Sequence, residues 1–197
     1  MKNKLCILLF TLTLQSCLNQ TDPEHQAQYI ESYKSFNKEM VSHFPKKIPN
    51  NWIHISQGSP KYINEYSNST EFNLEIRVTS KEKFERLKKE LIADAKIVKN
   101  SVDSCFLLVD SKENQNLANC KSYYPIPQET ICDFDFDKWI KQENCEVALI
   151  DYKPGIFVES KYLTEKEHLP ENWKNGYSKG YSFDNSKQTI MYWLIIW

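Results

Sequence analysis

Glu71-Phe72-Asn73-Leu74-Glu75-Ile76-Arg77-Val78-Thr79 alternates apolar and polar side chains without a break. Phe72, Leu74, Ile76 and Val78 fall on one side of an extended chain, while Asn73, Glu75 and Arg77 fall on the other. That is the pattern of a strand with one buried and one wet face. Ser80 follows as an N-cap, and Phe84, Leu87, Leu91, Ile92 and Ala95 recur at helical spacing through residues 81–96. The apolar run Cys105-Phe106-Leu107-Leu108-Val109-Asp110 then reads as a central strand.

Working outward, residues 24–44 place Tyr29, Ile30, Tyr33, Phe36, Met40, Val41 and Phe44 on one face of an amphipathic helix. Asp22 is its predicted N-cap, Pro23 suits its first turn, and Pro45 and Pro49 end it. Residues 52–56 read as a short strand. Residues 111–132 form a long polar loop with cysteines in it, and residues 135–142 a short helix. Residues 145–152 and 156–160 read as two strands around the turn signal Lys153-Pro154-Gly155. Residues 164–173 read as locally helical or turned, and residues 177–183 and 189–197 as a hairpin around Asp184-Asn185-Ser186-Lys187. Ile48-Pro49-Asn50-Asn51-Trp52 and Leu169-Pro170-Glu171-Asn172-Trp173 share one pattern, read as Pro-led turns whose Trp packs inward. The predicted fold is α+β: a mostly antiparallel sheet of about five to seven strands, helices packed on one face, and a second half tied by disulfides.

The N-terminus carries a different signal. Lys2 and Lys4 precede an apolar run from Leu5 to Leu14, too short to span a bilayer, which takes about 20 apolar residues. A positive start, a short apolar centre and a small residue before a cleavage point are the layout of a secretory leader. Leu14-Gln15-Ser16-Cys17 closes it. Here the chain resembles bacterial lipoproteins, whose signals end with Leu three before a Cys and a small residue one before it; Gln15 stands where a small residue, Val or Ile is usual. The resemblance covers residues 1–17 alone. It implies cleavage after Ser16 and acyl chains on Cys17, and two or more such chains hold a protein stably to a membrane. On this reading residues 1–16 are a signal peptide, 17–23 a lipidated tether and 24–197 a single α+β domain close to the membrane. Leu18 stands where, in that class, an Asp favours retention at the inner membrane, so the outer membrane is expected, on its periplasmic or surface face.

Charge excludes one class of partner. The net charge is −1, and −3 once the leader takes Lys2 and Lys4 with it; no basic excess draws nucleic acid. Arg77 and Arg86 are the sole arginines, so bidentate forks for carboxylate or phosphate are scarce. Past Cys17 the cysteines are Cys105, Cys120, Cys132 and Cys145. In an exported chain these are expected to form two disulfides, with all three pairings open. A four-cysteine zinc site usually shows close C-x-x-C pairs, which this chain lacks.

No other constellation carries chemistry. His25, His43, His54 and His168 are not at metal-ligand spacing; His43 and His168 read as surface or capping residues, and His54 as lying on the wet side of a strand. Asp133, Asp135 and Asp137 alternate with Phe134 and Phe136, but Lys138 and Asn144 stand where a calcium loop needs Gly and Glu. No phosphate-cradling glycine loop occurs. Trp173, Tyr177, Tyr181, Tyr192, Trp193 and Trp197 read as core and cross-strand packing, with a groove for sugar or peptide as the alternative. The sequence therefore predicts a membrane-anchored lipoprotein acting as a non-catalytic binding module, with a protein or glycan partner and no metal or cofactor. The alternatives are an envelope hydrolase acting on peptide or glycan, and a toxin-immunity or inhibitor lipoprotein.

Overall fold

The computed structural model describes residues 22–58, 69–111, 117, 120–130, 145–159 and 166–197. In chain order the elements are α1 (Pro23–Ser35), α2 (Lys38–Val41), β1 (Trp52–Gln57), β2 (Thr70–Arg77), α3 (Lys81–Ile92), β3 (Ile97–Asn100), β4 (Phe106–Leu108), β5 (Tyr124–Ile126), β6 (Cys145–Pro154), β7 (Gly176–Asp184) and β8 (Thr189–Ile196). The alternating stretch forms β2 with Phe72, Leu74 and Ile76 on one face as expected, but the face expected to be wet is largely covered: Asn73 is buried, Glu71 and Glu75 are half-buried, and Arg77 alone of the strand is exposed. Six strands make one sheet in the order β1-β2-β8-β7-β6-β3, and every neighbouring pair in it is antiparallel. Helices and an antiparallel sheet give the α+β class expected from the sequence.

The centre of the sheet is the β7–β8 hairpin, whose side chains are almost all buried. Its turn is set by Asp184, whose Oδ1 accepts from the backbone N–H groups of Ser186 at 2.8 Å and Lys187 at 2.9 Å, and by Gln188 at φ 56°. Gly180 is required in β7. A Cβ there would lie 2.1 Å from the Ala148 carbonyl oxygen and 2.8 Å from Trp193 Cζ2, so the indole of β8 lies across the bare backbone.

The strand period of two sends side chains to opposite faces. One face carries Phe72, Leu74, Ile76, Tyr181, Tyr192 and Leu194, covered by Tyr29, Phe36, Val41 and Phe44 from the α1–α2 region and by Phe84 of α3. The opposite face carries Val147, Leu149, Trp193, Ile195 and Trp197, covered by β4, β5 and the turn ending at Trp173.

Several elements depart from the sequence reading. The helix expected over 24–44 is two helices, because Phe36 is extended and the Asn37 side chain accepts from Glu39 N–H at 2.9 Å, starting a second helix. The helix after Ser80 ends at Ile92, and residues 97–100 leave it to form the edge strand β3 against β6. The run expected as a central strand is the three-residue β4, paired in parallel with β5 outside the main sheet. Its apolar continuity reflects burial on both sides: Phe106 and Leu108 pack into one cluster and Leu107 and Val109 into another. Residues 145–154 are one long strand, and residues 156–159 are not a strand. Gly155 turns at φ 130°, and Phe157 meets the Tyr177 ring edge-on at 4.5 Å. Residues 135–142 lie outside the described residues.

Both Pro-x-Asn-Trp segments fold alike. Trp52 N–H donates to the Pro49 carbonyl at 3.2 Å and Trp173 N–H to the Pro170 carbonyl at 2.7 Å. Trp173 is buried and Trp52 half-buried against the helix-side core.

Candidate functional site

Cys105 and Cys120 are joined by a disulfide with Cα atoms 5.5 Å apart, which selects one pairing and removes both thiolates from any zinc set. The bond ties the residue before β4 to the approach to β5, and Tyr124 N–H donates to the Cys105 carbonyl at 3.0 Å. Cys145 is buried at the head of β6 and is also disulfide-bonded. Cys132 lies outside the described residues, as do Cys17, the leader, and Asp133, Asp135 and Asp137. Among the described residues no group of three or more His, Cys, Asp or Glu could hold a metal ion.

The six aromatics do not form one cluster. Tyr177, Tyr181 and Tyr192 stand on the helix side, with Tyr181 and Tyr192 edge-to-face at 5.2 Å. Trp173, Trp193 and Trp197 stand on the other side. There the Trp173 and Trp197 rings lie 6.2 Å apart, and Trp197 Nε1–H donates to the Trp173 carbonyl at 2.8 Å. The sheet runs between the two trios, each trio is buried, and no aromatic groove results from them.

The polar groups that do converge were invisible to motif reading. A register shift between Leu149 and Asp151 makes Ile150 an extra residue in β6, and this bulge turns Asp151 to the helix side, opposite Lys179. Asp151 accepts from Lys96 Nζ and from Tyr177 Oη. Burial opposes its ionisation, but the bonds from Lys96 and Tyr177 outweigh that, and the carboxyl sits below its usual range. Burial and the hydrogen bond to Asp151 push the Tyr177 hydroxyl the other way. Lys179 is buried, and its Nζ donates to the Glu39 carbonyl at 2.5 Å. Burial lowers its pKa, and the Asp151 and Glu39 carboxylates partly restore it.

His43, expected as a surface or capping residue, stands beside this group. It is half-buried, its ring 4.4 Å from Phe44 and 5.6 Å from Tyr181. Its Nε2 lies 3.0 Å from the Trp193 carbonyl, an acceptor, so Nε2 carries the hydrogen. Burial pulls its pKa down to about 3, with the Trp193 and Met40 carbonyls opposing and Lys179 assisting. The imidazole is therefore neutral across the physiological range.

On the far face, Lys166 is buried and donates to Asp110 Oδ1 at 3.0 Å. His168, half-buried, places Nε2 3.1 Å from the Val109 carbonyl. His54 is exposed on β1, opposite Glu75 in register, and His25 is exposed at the start of α1, edge-on to Trp52. Lys88 bonds Glu146 and Asn185 and lies over the Phe183 ring at 5.7 Å.

A general acid or base works best with a pKa near the working pH. Asp151, Tyr177 and His43 are all moved away from neutrality, and each is held by a partner. The arrangement does what paired polar groups at a packing boundary do: it fixes where α2, β6 and β7 meet. Sequence reading missed it because the pairs arise from a bulge and from cross-strand register, which no local motif records. Compared with family models, curated proteins and solved structures, the chain matches none.

Proposed function

We propose that the protein is a bacterial lipoprotein, held to the cell envelope by acyl chains on Cys17 and acting as a non-catalytic binding module. The observation that carries this reading is the leader: Lys2 and Lys4, a short apolar run, and Leu14-Gln15-Ser16-Cys17. The Cys105–Cys120 disulfide supports it, since such bonds persist in oxidising compartments outside the cytosol. The internal pairing of Asp151, Lys166 and Lys88 supports a scaffold in preference to a reaction centre. No helix among the described residues is long and apolar enough to cross a membrane, and on this reading the lipid supplies the attachment.

Growth of an expressing strain with radiolabelled palmitate tests the anchor. Label is expected in the wild type and absent from Cys17→Ser, which leaves the membrane fraction or accumulates uncleaved. A wild-type protein that takes up no label refutes the proposal.

A further inference from the structure

The tether limits which part of the domain can meet the membrane. Leu18, Asn19, Gln20 and Thr21 separate Cys17 from Asp22, and an extended chain covers at most about 3.5 Å per residue, so the lipid surface lies within roughly 17 Å of Asp22. The chain beside α1 is the segment leading into β1. Tyr29 Oη donates to the Pro45 carbonyl at 2.6 Å, Ile48 N–H donates to Gln26 Oε1 at 3.2 Å, and the His25 and Trp52 rings meet at 5.9 Å. These contacts bind residues 45–52 to the opening turns of α1.

The same corner carries an exposed apolar side chain among cations. The register shifts between Trp52 and His54, which makes Ile53 the extra residue of a bulge in an edge strand. Such a bulge re-aims a side chain, and Ile53 is 40% exposed. Lys46 and Lys47 are exposed in the segment 45–52 that leads into this strand. Arg77, also exposed, is tied to the same turn by its N–H on the Asn51 carbonyl at 2.9 Å. Asp22 and Glu24, exposed on the first turn of α1, offset two of these three cations.

We propose that this corner rests on the headgroups of the leaflet that holds the Cys17 lipid. Ile53 enters the boundary between headgroups and acyl chains, and Lys46, Lys47 and Arg77 face the lipid phosphates. The inference depends on the lipoprotein reading and adds the orientation of the domain. It sets Ile53 apart from exposed Val98, which lies at the opposite edge of the sheet on β3. β1 and β3 are the outer strands of the sheet, about 24 Å apart at the usual strand spacing.

The test places a photo-crosslinking residue at Ile53 or at Val98 in the full-length lipidated protein. Each is reconstituted in vesicles of phosphatidylglycerol and phosphatidylethanolamine, with palmitate incorporation measured on the same samples. Lipid adducts at Ile53 are expected to exceed those at Val98 by at least about fivefold, and to fall several-fold in Lys46→Glu/Lys47→Glu. With palmitate incorporated, equal adducts at the two positions, or more at Val98, overturn the orientation and leave the anchor standing. Without palmitate the tether is lost, and both proposals fall.

Discussion

Helices cover one face of the sheet and irregular chain covers the other, and each coat reaches a buried core by different means. On the helix side a single aromatic cluster runs from Tyr29 to Phe44 around Phe72, whose ring lies 5.2 Å from Tyr29, 5.7 Å from Phe36 and 4.6 Å from Phe44. On the other side β4 and β5 supply three residues each, and the apolar contacts divide into two smaller clusters. The helix side is joined by continuous packing. The other side depends on a covalent staple, because a three-residue parallel pair contributes few hydrogen bonds of its own. The difference teaches that burial alone does not measure how a layer is held: Phe72 and Leu107 are equally hidden from solvent.

Truncating one core side chain on each face gives the largest expected effect. Phe72→Ala is expected to cost about 4 kcal/mol in urea unfolding, and Leu107→Ala about 2–3 kcal/mol, because the smaller cluster collapses more readily around the gap. An equal or larger loss for Leu107→Ala would show that the far face is packed as tightly as the helix face. Next in size is the staple. Cys105→Ala/Cys120→Ala is expected to cost about 3 kcal/mol for a 15-residue separation. Hydrogen exchange should then lose protection in β4 and β5 first, while β2 and β8 keep theirs.

Acid acts on the helix side through His43. The folded His43 has a pKa of about 3 against an ordinary value of 6.5, so the unfolded chain binds the proton first. The associated stability is complete above pH 6.5 and drains as the pH falls from there towards about 3, by about 1 kcal/mol per unit. His43→Gln should flatten the unfolding profile over that window; an unchanged slope would place the acid sensitivity elsewhere. The smallest effect concerns Asp151. Its partner Lys96 is well exposed, so Lys96→Ala is expected to cost less than about 1 kcal/mol, and high salt should shrink the difference further.

What the sequence made legible follows the same division. The helix face follows periods of 2 and 3.6, and Phe72-x-Leu74-x-Ile76 and Phe84…Leu87…Leu91 reveal it directly. The hairpin was readable from its Asp184-Asn185-Ser186-Lys187 turn. The far face has no period: Phe106-Leu107-Leu108-Val109 looks like a central strand because every residue in it is buried, yet it belongs to a short layer laid over the sheet. The polar interior was the least legible. Asp151, Tyr177 and Lys179 meet because one inserted residue, Ile150, shifts the register of β6, and His43 reaches the same place from a turn after α2. The Trp and Tyr residues of β7 and β8 lie close in sequence, but the pleat sends them to opposite sides.

The position of β8 between β2 and β7 has a kinetic consequence. Arg77 pairs with Thr189 and Thr70 with Ile196, partners more than a hundred residues apart, whereas the β7–β8 hairpin closes over a four-residue turn. Contacts that close long loops form slowly. The hairpin is therefore the natural nucleus, and the β1–β2 pair must wait for it with one backbone edge unsatisfied. A chain wired in this order leaves the edge of β2 open for a comparatively long interval, which makes the waiting strand the segment most exposed to aggregation.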